Sequence, residues 1–259
     1  MSPLTDWDPH NYLRFADYRT RPAIELASRI RVTAPARVID LGCGPGNSTQ
    51  VLREAWPEAN VLGLDSSRAM IAAARERYPG HGWLLGDIAE WSSDEPFDVV
   101  FSNAALQWIP DHSQVVPHLF GHVAAGGALA FQIPSREYSP VQALIDEIAG
   151  DARWVSCMAD ARAALTIEEP RVYYDLLAPL ARDLDMWETI YHQVMESPAA
   201  IVEWISSTGL RPYLDSLDSD EERHRFGALL AERVAASHPR RTDGKVLLPF
   251  RRISVIAHA

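Results

Sequence analysis

The chain has 259 residues, 47% of them hydrophobic, and a formal net charge of -11 at pH 7. This length can bury a substantial core in one large domain. The negative charge disfavours nucleic acid as a partner, because phosphate binding needs a basic face. Two cysteines, Cys43 and Cys157, are too few for a disulfide framework or a metal cluster. No apolar run approaches the ~20 residues that span a bilayer. We therefore expect a cytoplasmic protein that binds a small molecule, with no membrane and no obligate protein partner.

The segment before the first predicted strand mixes aromatic residues with arginines. Tyr12, Arg19 and Arg21 belong to it. Two interpretations remain open. The segment is either a helix that packs its aromatic side chains on the domain, or a lid over a ligand in which Arg19 or Arg21 faces an anion.

A glycine-rich stretch at residues 38–49 organises the rest of the chain. An apolar run breaks into three alternating glycines, and a Ser/Thr-capped amphipathic segment follows. The pattern predicts a strand, a tight loop and a helix, with a ligand lying against bare backbone at the helix N-terminus. Asn47 stands where a dinucleotide fingerprint has its third glycine, so the pattern departs from the NAD type.

Three further strands are predicted after this loop. Residues 60–64 lead into Asp65, residues 83–88 form a strand that contains Asp87, and the stretch from residue 97 runs through a strand into Asn103 and Ala104. Alternation of strands and helices indicates parallel pairing with right-handed crossovers. Ligands of such sheets bind beyond the carboxyl ends of the strands, so this edge is the expected site.

The second half of the chain carries two predicted helical insertions, at residues 135–169 and 196–243. Between them lies a sixth strand, residues 186–195, whose alternation puts Tyr191 on one face and His192 on the other. A last strand follows residue 245.

The sequence from Asp40 to Gly46 resembles the first motif of the S-adenosylmethionine (SAM) dependent methyltransferases. The resemblance implies an α/β fold: a doubly wound, seven-stranded, mostly parallel sheet of the Rossmann-like class I type with helical cap insertions. We expect a single domain over residues 1–259. Its core would comprise about 22–134, 170–195 and 245–259, and its helical cover about 1–21, 135–169 and 196–243.

The same resemblance implies a cofactor site for SAM, with S-adenosylhomocysteine as the product and no metal. In that family the glycine loop passes under the methionine part, and the acid after the second strand, here Asp65, holds the ribose hydroxyls. Asp87 would accept from the adenine amino group beside the Ile88 amide, although a plain turn aspartate is the alternative. The cofactor-binding residues so predicted are Leu41, Gly42, Cys43, Gly44, Asn47, Asp65, Ser66, Asp87, Ile88, Asn103 and Ala104.

Several segments are similar to a narrower family, the trans-aconitate 2-methyltransferases. They are residues 6–9 with 12–13, 19–23, 40–49, 65–67, 103–112 and 208–214. The resemblance implies transfer of a methyl group from SAM to a carboxylate oxygen of trans-aconitate, giving a monomethyl ester. Departures between residues 135 and 170 and at Arg251–Arg252 leave the exact acceptor open.

The main task of the protein in this reaction is to position the carboxylate oxygen against the methyl group. A carboxylate is ionised at pH 7, so no general base is needed, and arginine forks suit the remaining carboxylates of a polyanion. We predict no certain catalytic residue. The predicted positioning residues are Tyr191, His192 and Trp108, and the predicted substrate-binding residues are Arg211, Arg19, Arg21, Tyr12 and Trp108.

Arg211 is the principal substrate-binding prediction. It lies between Gly209 and Pro212, which predicts a place at the mouth of a helix with free backbone amides. The alternative is a surface arginine paired with Asp215 or Asp218.

Two other functions stay open. One is methylation of another small carboxylic acid or of a carrier-bound acyl chain. The other, a nucleotide-dependent dehydrogenase or a non-catalytic binding module, is disfavoured by Asn47.

Overall fold

A computed structural model describes residues 6–13, 16–135 and 139–259 of the chain. In this part of the chain seven strands form one sheet, in the spatial order β3-β2-β1-β4-β5-β7-β6. The strands are β1 (Arg37–Leu41), β2 (Asn60–Asp65), β3 (Gly82–Leu85), β4 (Phe97–Asn103), β5 (Val123–Pro134), β6 (Asp183–Met195) and β7 (Val246–His258).

Helices connect the strands. They are α1 (Pro9–Leu13), α2 (Ala16–Ala27), α3 (Asn47–Ala55), α4 (Arg68–Arg77), α5 (His112–Phe120), α6 (Pro140–Ala149), α7 (Ala159–Ala163), α8 (Pro170–Leu177), α9 (Pro198–Ser206), α10 (Arg211–Asp215) and α11 (Asp220–Ser237). Short 3-10 turns lie at Leu106–Trp108 and Val155–Cys157.

Strands β1 to β5 pair in parallel, and β7 runs antiparallel to β5. The parallel pairs follow from the strand–helix–strand connections, which return each strand to the same end of the sheet. The prediction of a doubly wound, mostly parallel seven-stranded sheet is confirmed.

The sheet buries apolar side chains on both faces. In β1, Ile39 and Leu41 belong to one buried cluster and Val38 to another, and in β4 Val100 faces the first cluster while Val99 faces the second. Strands that are apolar on both sides need helices on both sides, and this is why their sequences show short continuous apolar runs.

Strand β3 is shorter than the sequence predicts. It ends at Leu85, so Asp87 follows the strand instead of closing it. The Gly86 amide still donates to the Asp65 carbonyl at 3.1 Å, and the chain then turns because the Asp87 carboxylate accepts from the Ala89 amide at 2.9 Å. This self-capping turn ends the strand three residues before its predicted end at residue 88.

The described residues fall into two compact units. The first unit comprises those within 6–134, 166–189 and 252–259, and the second comprises those within 135–165 and 190–251. Much of the predicted cover, 135–169 and 196–243, falls in the second unit, whereas residues 6–21 belong to the first. Residues 1–5, 14–15 and 136–138 of that cover lie outside the described residues. The assignment of one domain with a cover stays a prediction.

The second unit has a polar centre as well as an apolar core. The Tyr213 hydroxyl is within 2.9 Å of an Asp146 carboxylate oxygen and accepts from the Gln142 amide at 3.1 Å. The Trp154 indole donates to Glu222 at 2.7 Å. These contacts join α6 to α10, and the 3-10 turn at Val155–Cys157 to α11, inside this unit.

Over the described ranges, none of the helices has the length and apolar character needed to cross a membrane.

Candidate cofactor site

The glycine loop takes backbone conformations that other residues adopt only under strain. Gly42, Gly44 and Gly46 have φ angles of 76°, 54° and 90°, in the left-handed region. A Cβ placed on Gly42 would lie 2.1 Å from the Ala105 Cβ. The first glycine is therefore required both by its φ angle and by the close approach of the loop that follows β4.

Asp65 at the end of β2 holds the glycine loop in place. One carboxylate oxygen accepts from the Gly44 amide and the other from the Ser67 amide, both at 2.8 Å. Burial raises the pKa of Asp65, and these two amides oppose the rise. Ser66 is exposed beside it, and the Ser67 hydroxyl caps α4 by accepting from the Met70 amide at 3.1 Å. Each Asp65 oxygen keeps a further lone pair for a ligand hydroxyl.

Asp40 lies at the base of the loop and was not assigned a role from the sequence. It is fully buried, and one oxygen accepts from the Ser48 and Thr49 hydroxyls at 2.6 and 2.7 Å. Burial raises the pKa of Asp40 to about 6, against the effect of these two hydroxyls. The serine and threonine at the start of α3 were the sequence signal that could have identified this contact.

Asp87 and Ile88 differ in exposure. Asp87 is exposed and its carboxylate caps its own turn, whereas Ile88 is buried with its side chain 3.4 Å from the position of a Cβ on Gly42. The turn contact is what the plain-turn alternative expects. The adenine role of Asp87 stays a prediction.

A chain of buried amides and an arginine lies at the end of β4. The Arg252 guanidinium donates to the Gln132 oxygen at 2.8 Å, and the Gln132 amide donates to the Asn103 oxygen at 2.6 Å. Asn103 in turn donates to the Arg19 carbonyl at 3.3 Å. Ala104 follows with a φ angle of 57°, a strained value for a residue with a Cβ. The sequence predicted Asn103 and Ala104 as cofactor residues, which stays a prediction, and it gave no signal for Gln132.

The N-terminal segment contacts several predicted cofactor elements. The Asp6 carboxylate accepts from the Ser67 hydroxyl and, at 3.0 Å, from the Ala69 amide. The Asn47 amide donates to the Thr20 hydroxyl at 3.3 Å. Contacts of this kind bring Asp6, Arg19 and Thr20 to residues that follow β1 and β2 and to the end of β4 within the first unit.

Aromatic and cationic side chains of this segment pack together. The Trp7 and Trp108 rings meet edge to face with centroids 5.2 Å apart. The Arg19 guanidinium lies 3.9 Å from the centre of the Tyr12 ring, and burial lowers the pKa of Arg19.

Three buried oxygens test whether SAM fits this site. Asp40 Oδ1, Asn47 Oδ1 and Gln107 Oε1 accept no hydrogen bond within the part of the chain that is described. SAM carries the complementary donors in its ammonium group, ribose hydroxyls and adenine amino group. Asn47 and Gln107, with the remaining lone pairs of Asp65, therefore offer acceptors of the kind that this cofactor needs. For a metal, the described residues contain no group of three or more His, Cys, Asp or Glu side chains that could hold one.

Arg211, in the second unit, departs from the prediction in one respect. Its backbone amide donates to the Thr208 carbonyl, and the Tyr213 and Leu214 amides donate to the Leu210 carbonyl. The expectation of free backbone amides at this helix mouth is wrong, because the chain enters α10 from a preceding turn that already supplies carbonyl acceptors.

The Arg211 side chain is neither at the surface nor isolated. It is 13% exposed, and its Nε lies 3.5 Å from the Asp215 carboxylate. The predicted pairing with Asp215 is thus present, but in a largely buried setting.

The remaining predicted residues have diverse positions. The Arg21 side chain is 68% exposed and pairs with Glu25 at 2.8 Å. Tyr191 is buried and His192 is exposed on the opposite face of β6. At most one of these two can face any one site.

Comparison with known proteins gives the same class of fold and a narrower family. Residues 38–127 match the family model of a methyltransferase domain. The chain is 45% identical over 259 residues to the trans-aconitate 2-methyltransferase of Methylobacterium radiotolerans, covering 98% of each chain. It is 46% identical over 256 residues to the protein of the same name from Variovorax paradoxus, again covering 98% of each.

Solved structures share the fold at low sequence identity. The YcgJ protein of Bacillus subtilis superposes with a TM-score of 0.59 at 12% identity, over 93% of this chain and 98% of that one. A phosphoethanolamine N-methyltransferase of Haemonchus contortus, in complex with S-adenosylhomocysteine, gives 0.57 at 14% identity, over 92% and 52%.

The strand order, the glycine loop held by Asp65 and these matches together define the class, a SAM-dependent methyltransferase with a doubly wound sheet. Within that class the chain belongs to the trans-aconitate 2-methyltransferase family.

Proposed function

We propose that the chain transfers the methyl group of SAM to a carboxylate oxygen of trans-aconitate. The oxygen forms a new bond to the methyl carbon as the bond from that carbon to sulfur breaks, and the electron pair of the broken bond returns to sulfur. The products are a monomethyl ester and S-adenosylhomocysteine, and no proton is transferred.

One observation supports the part of this proposal that concerns the cofactor. The glycine loop approaches Ala105 so closely that only glycine fits at residue 42, and Asp65 fixes that loop while offering free lone pairs. Bare backbone next to a strand-end carboxylate suits a nucleoside with ribose hydroxyls. SAM supplies the activated methyl group when it is bound there.

The choice of a trans-aconitate carboxylate as methyl acceptor is supported by family membership and by the nature of the reaction. A carboxylate with an ordinary pKa of about 4 is already ionised at pH 7, so the protein needs no general base. Its task is to hold the oxygen roughly 3 to 3.5 Å from the methyl carbon and to exclude water.

Arginine side chains are proposed to bind the other carboxylates of the substrate. Arg19 and Arg211 are the better candidates, because both are largely buried and a buried guanidinium interacts strongly with an anion. Arg21 is less well supported, since its side chain is mostly exposed and already pairs with Glu25. Trp108 and Tyr12, which belong to the same unit as Arg19, would form apolar walls of the substrate site.

The reacting carboxylate is proposed to meet neutral groups. A cation on that oxygen would withdraw electron density and slow its attack, so Tyr191 or His192 is preferred there. Their positions on opposite faces of β6 make them alternatives to each other. We further propose a cytoplasmic location and no nucleic-acid, membrane or obligate protein partner, from the net charge of -11 and the sequence composition.

Two measurements test the proposed function. Calorimetry should detect binding of S-adenosylhomocysteine but not of NADH. Incubation with SAM and a panel of organic acids, followed by mass spectrometry, should yield a product heavier by one methylene from trans-aconitate. A product from another acid and none from trans-aconitate would contradict the proposed acceptor, and absent S-adenosylhomocysteine binding would contradict the class of reaction.

A further inference from the structure

The amide of Gln107 has a fixed orientation. Gln107 lies in the 3-10 turn that follows β4, and its Nε2 donates to the Ala104 carbonyl at 2.7 Å. A carbonyl oxygen only accepts hydrogen bonds, so the end of the amide that faces it must be the NH2 group. Gln107 Oε1 is therefore an acceptor that points away from Ala104.

This oxygen lacks a donor. Gln107 is 6% exposed, and its Oε1 is buried with no hydrogen-bond partner among the residues that the structure describes. A buried acceptor without a donor destabilises a folded protein, and such atoms in native proteins call for an explanation such as strain, a role at a functional site, or a bound water or ion. Ala104, three residues earlier, adds a strained φ angle of 57°. Strain and an unsatisfied acceptor in one short loop are typical of a functional site.

Several contacts fix the position of this acceptor. The Thr166 amide donates to the Gln107 carbonyl at 2.8 Å, and His112 Nε2 lies 2.8 Å from the Leu106 carbonyl. Ala105, two residues before Gln107, packs directly on Gly42. The turn that carries Gln107 is thus rigid and adjoins the glycine loop.

We infer that Gln107 Oε1 accepts a hydrogen bond from the α-ammonium group of the methionine part of SAM and of its product. This inference rests on the proposed function, together with the family resemblance, which implies that the glycine loop passes under the methionine part of SAM. The methionine end offers three kinds of group. Its carboxylate and its sulfur donate no hydrogen bond, whereas its ammonium donates three, so the ammonium is the chemical match for a lone acceptor.

The test compares ligands that differ in one group. Binding of S-adenosylhomocysteine, of its analogue with hydrogen in place of the amino group, and of its decarboxylated analogue is measured by calorimetry for the wild type and for Gln107→Met. The wild type should prefer S-adenosylhomocysteine to the deaminated analogue tenfold or more. In Gln107→Met this preference should fall to about twofold, because only ligands that carry the ammonium lose a contact.

The decarboxylated analogue and a second glutamine serve as controls. The decarboxylated analogue keeps the ammonium and should weaken in Gln107→Met by the same factor as S-adenosylhomocysteine. Gln114→Met, in α5, should retain the wild-type preference. If Gln107→Met does not fold, Gln107→Asn keeps the amide but shortens its reach, and it should lower the preference in the same direction.

The possible outcomes separate the inference from the function on which it rests. An unchanged preference in a folded Gln107 variant overturns the inference. Failure of the wild type to bind S-adenosylhomocysteine at all contradicts the proposed function instead.

Discussion

Asp65 illustrates how one residue can serve both the fold and the site. Its two oxygens accept from the Gly44 and Ser67 amides, and so tie the glycine loop to the start of α4. The same carboxylate is predicted to bind the ribose hydroxyls. Loss of this side chain therefore removes ligand contacts and also an anchor of the loop.

Replacement of Asp65 by alanine should weaken binding of S-adenosylhomocysteine. Lost hydrogen bonds of about 1 to 3 kcal/mol correspond to a dissociation constant roughly 5 to 150 times higher, and release of the glycine loop adds to the loss. Calorimetry on the variant measures this effect. Asp94→Ala, which removes an exposed acid, is the control and should bind as the wild type does. Unchanged affinity in Asp65→Ala would remove this residue from the cofactor site.

Replacement of Arg211 by alanine should raise the Michaelis constant for trans-aconitate and leave that for SAM within about twofold. A charge-assisted contact of about 1.5 to 3 kcal/mol corresponds to a loss of roughly tenfold to a hundredfold or more in acceptor efficiency. Steady-state kinetics with each substrate varied in turn measures the difference.

The control for Arg211 is Arg225→Ala, which removes an exposed arginine that pairs with Glu221 and Glu222. Because Arg211 also pairs with Asp215 inside the second unit, the melting temperature of each variant is recorded as well. A lower melting temperature with wild-type kinetics would show that Arg211 only stabilises the fold.

Among the helices and strands, the segment of α1 and α2 is more closely tied to the candidate site than its place outside the sheet implies. Asp6 contacts the start of α4, Thr20 contacts Asn47, and the Arg19 carbonyl accepts from Asn103. The start of α4 and two residues that are predicted to meet the cofactor, Asn47 and Asn103, thus contact one N-terminal segment. Short helices outside a sheet open locally more easily than the strands of its core, so a ligand that adds to these contacts should slow that opening.

Ligand binding should order the predicted cover. Amide hydrogen exchange in residues 6–21 and 196–243 should slow when S-adenosylhomocysteine is added, because ligand contacts stabilise the closed segments. Mass-spectrometric exchange with and without ligand measures this. Addition of adenosine alone, which lacks the methionine part, is the comparison and should protect less. Equal exchange in both segments with and without S-adenosylhomocysteine would show that they are not a cover.

For the protein as a whole, the buried carboxylate of Asp40 couples stability to pH. Burial raises its pKa from 3.8 to about 6. The folded protein therefore binds the proton more tightly than the unfolded chain does. The stabilisation of the fold by proton binding to Asp40 is present at low pH and is lost as pH rises from about 4 to about 6. Above that window the charged group destabilises the fold by about 3 kcal/mol, because each tenfold difference in proton affinity between the two states corresponds to about 1.4 kcal/mol.

Substitution of Asp40 by asparagine should remove this pH dependence. Asparagine keeps an oxygen that can accept from Ser48 and Thr49 but carries no charge. The free energy of unfolding of the variant, relative to that of the wild type, should rise by about 2 to 3 kcal/mol between pH 4 and pH 7. Urea unfolding at several pH values measures both proteins, and the difference cancels the titration of the other acids. A difference that does not vary with pH would contradict the raised pKa.

Local sequence pattern is enough to predict much of this protein. Apolar runs of a few residues, glycines at alternate positions and acids after strands predicted the parallel strands, the glycine loop and the positions of Asp65 and Asn103. These features are readable because they depend on backbone geometry and on side-chain spacing within about 10 residues. The exact ends of the strands were harder to predict from the sequence. For example, β3 stops early because the Asp87 side chain caps its own turn.

Contacts between distant parts of the chain depend instead on how the strands assemble. Arg252 and Gln132 are 120 residues apart in sequence, and Gln132 and Asn103 are 29 apart, yet they form one buried chain of hydrogen bonds. The raised pKa of Asp40 likewise follows from complete burial, which is a property of the packed sheet and not of neighbouring residues. No periodicity in the sequence encodes such pairs, because their geometry is fixed by the order of strands in the sheet.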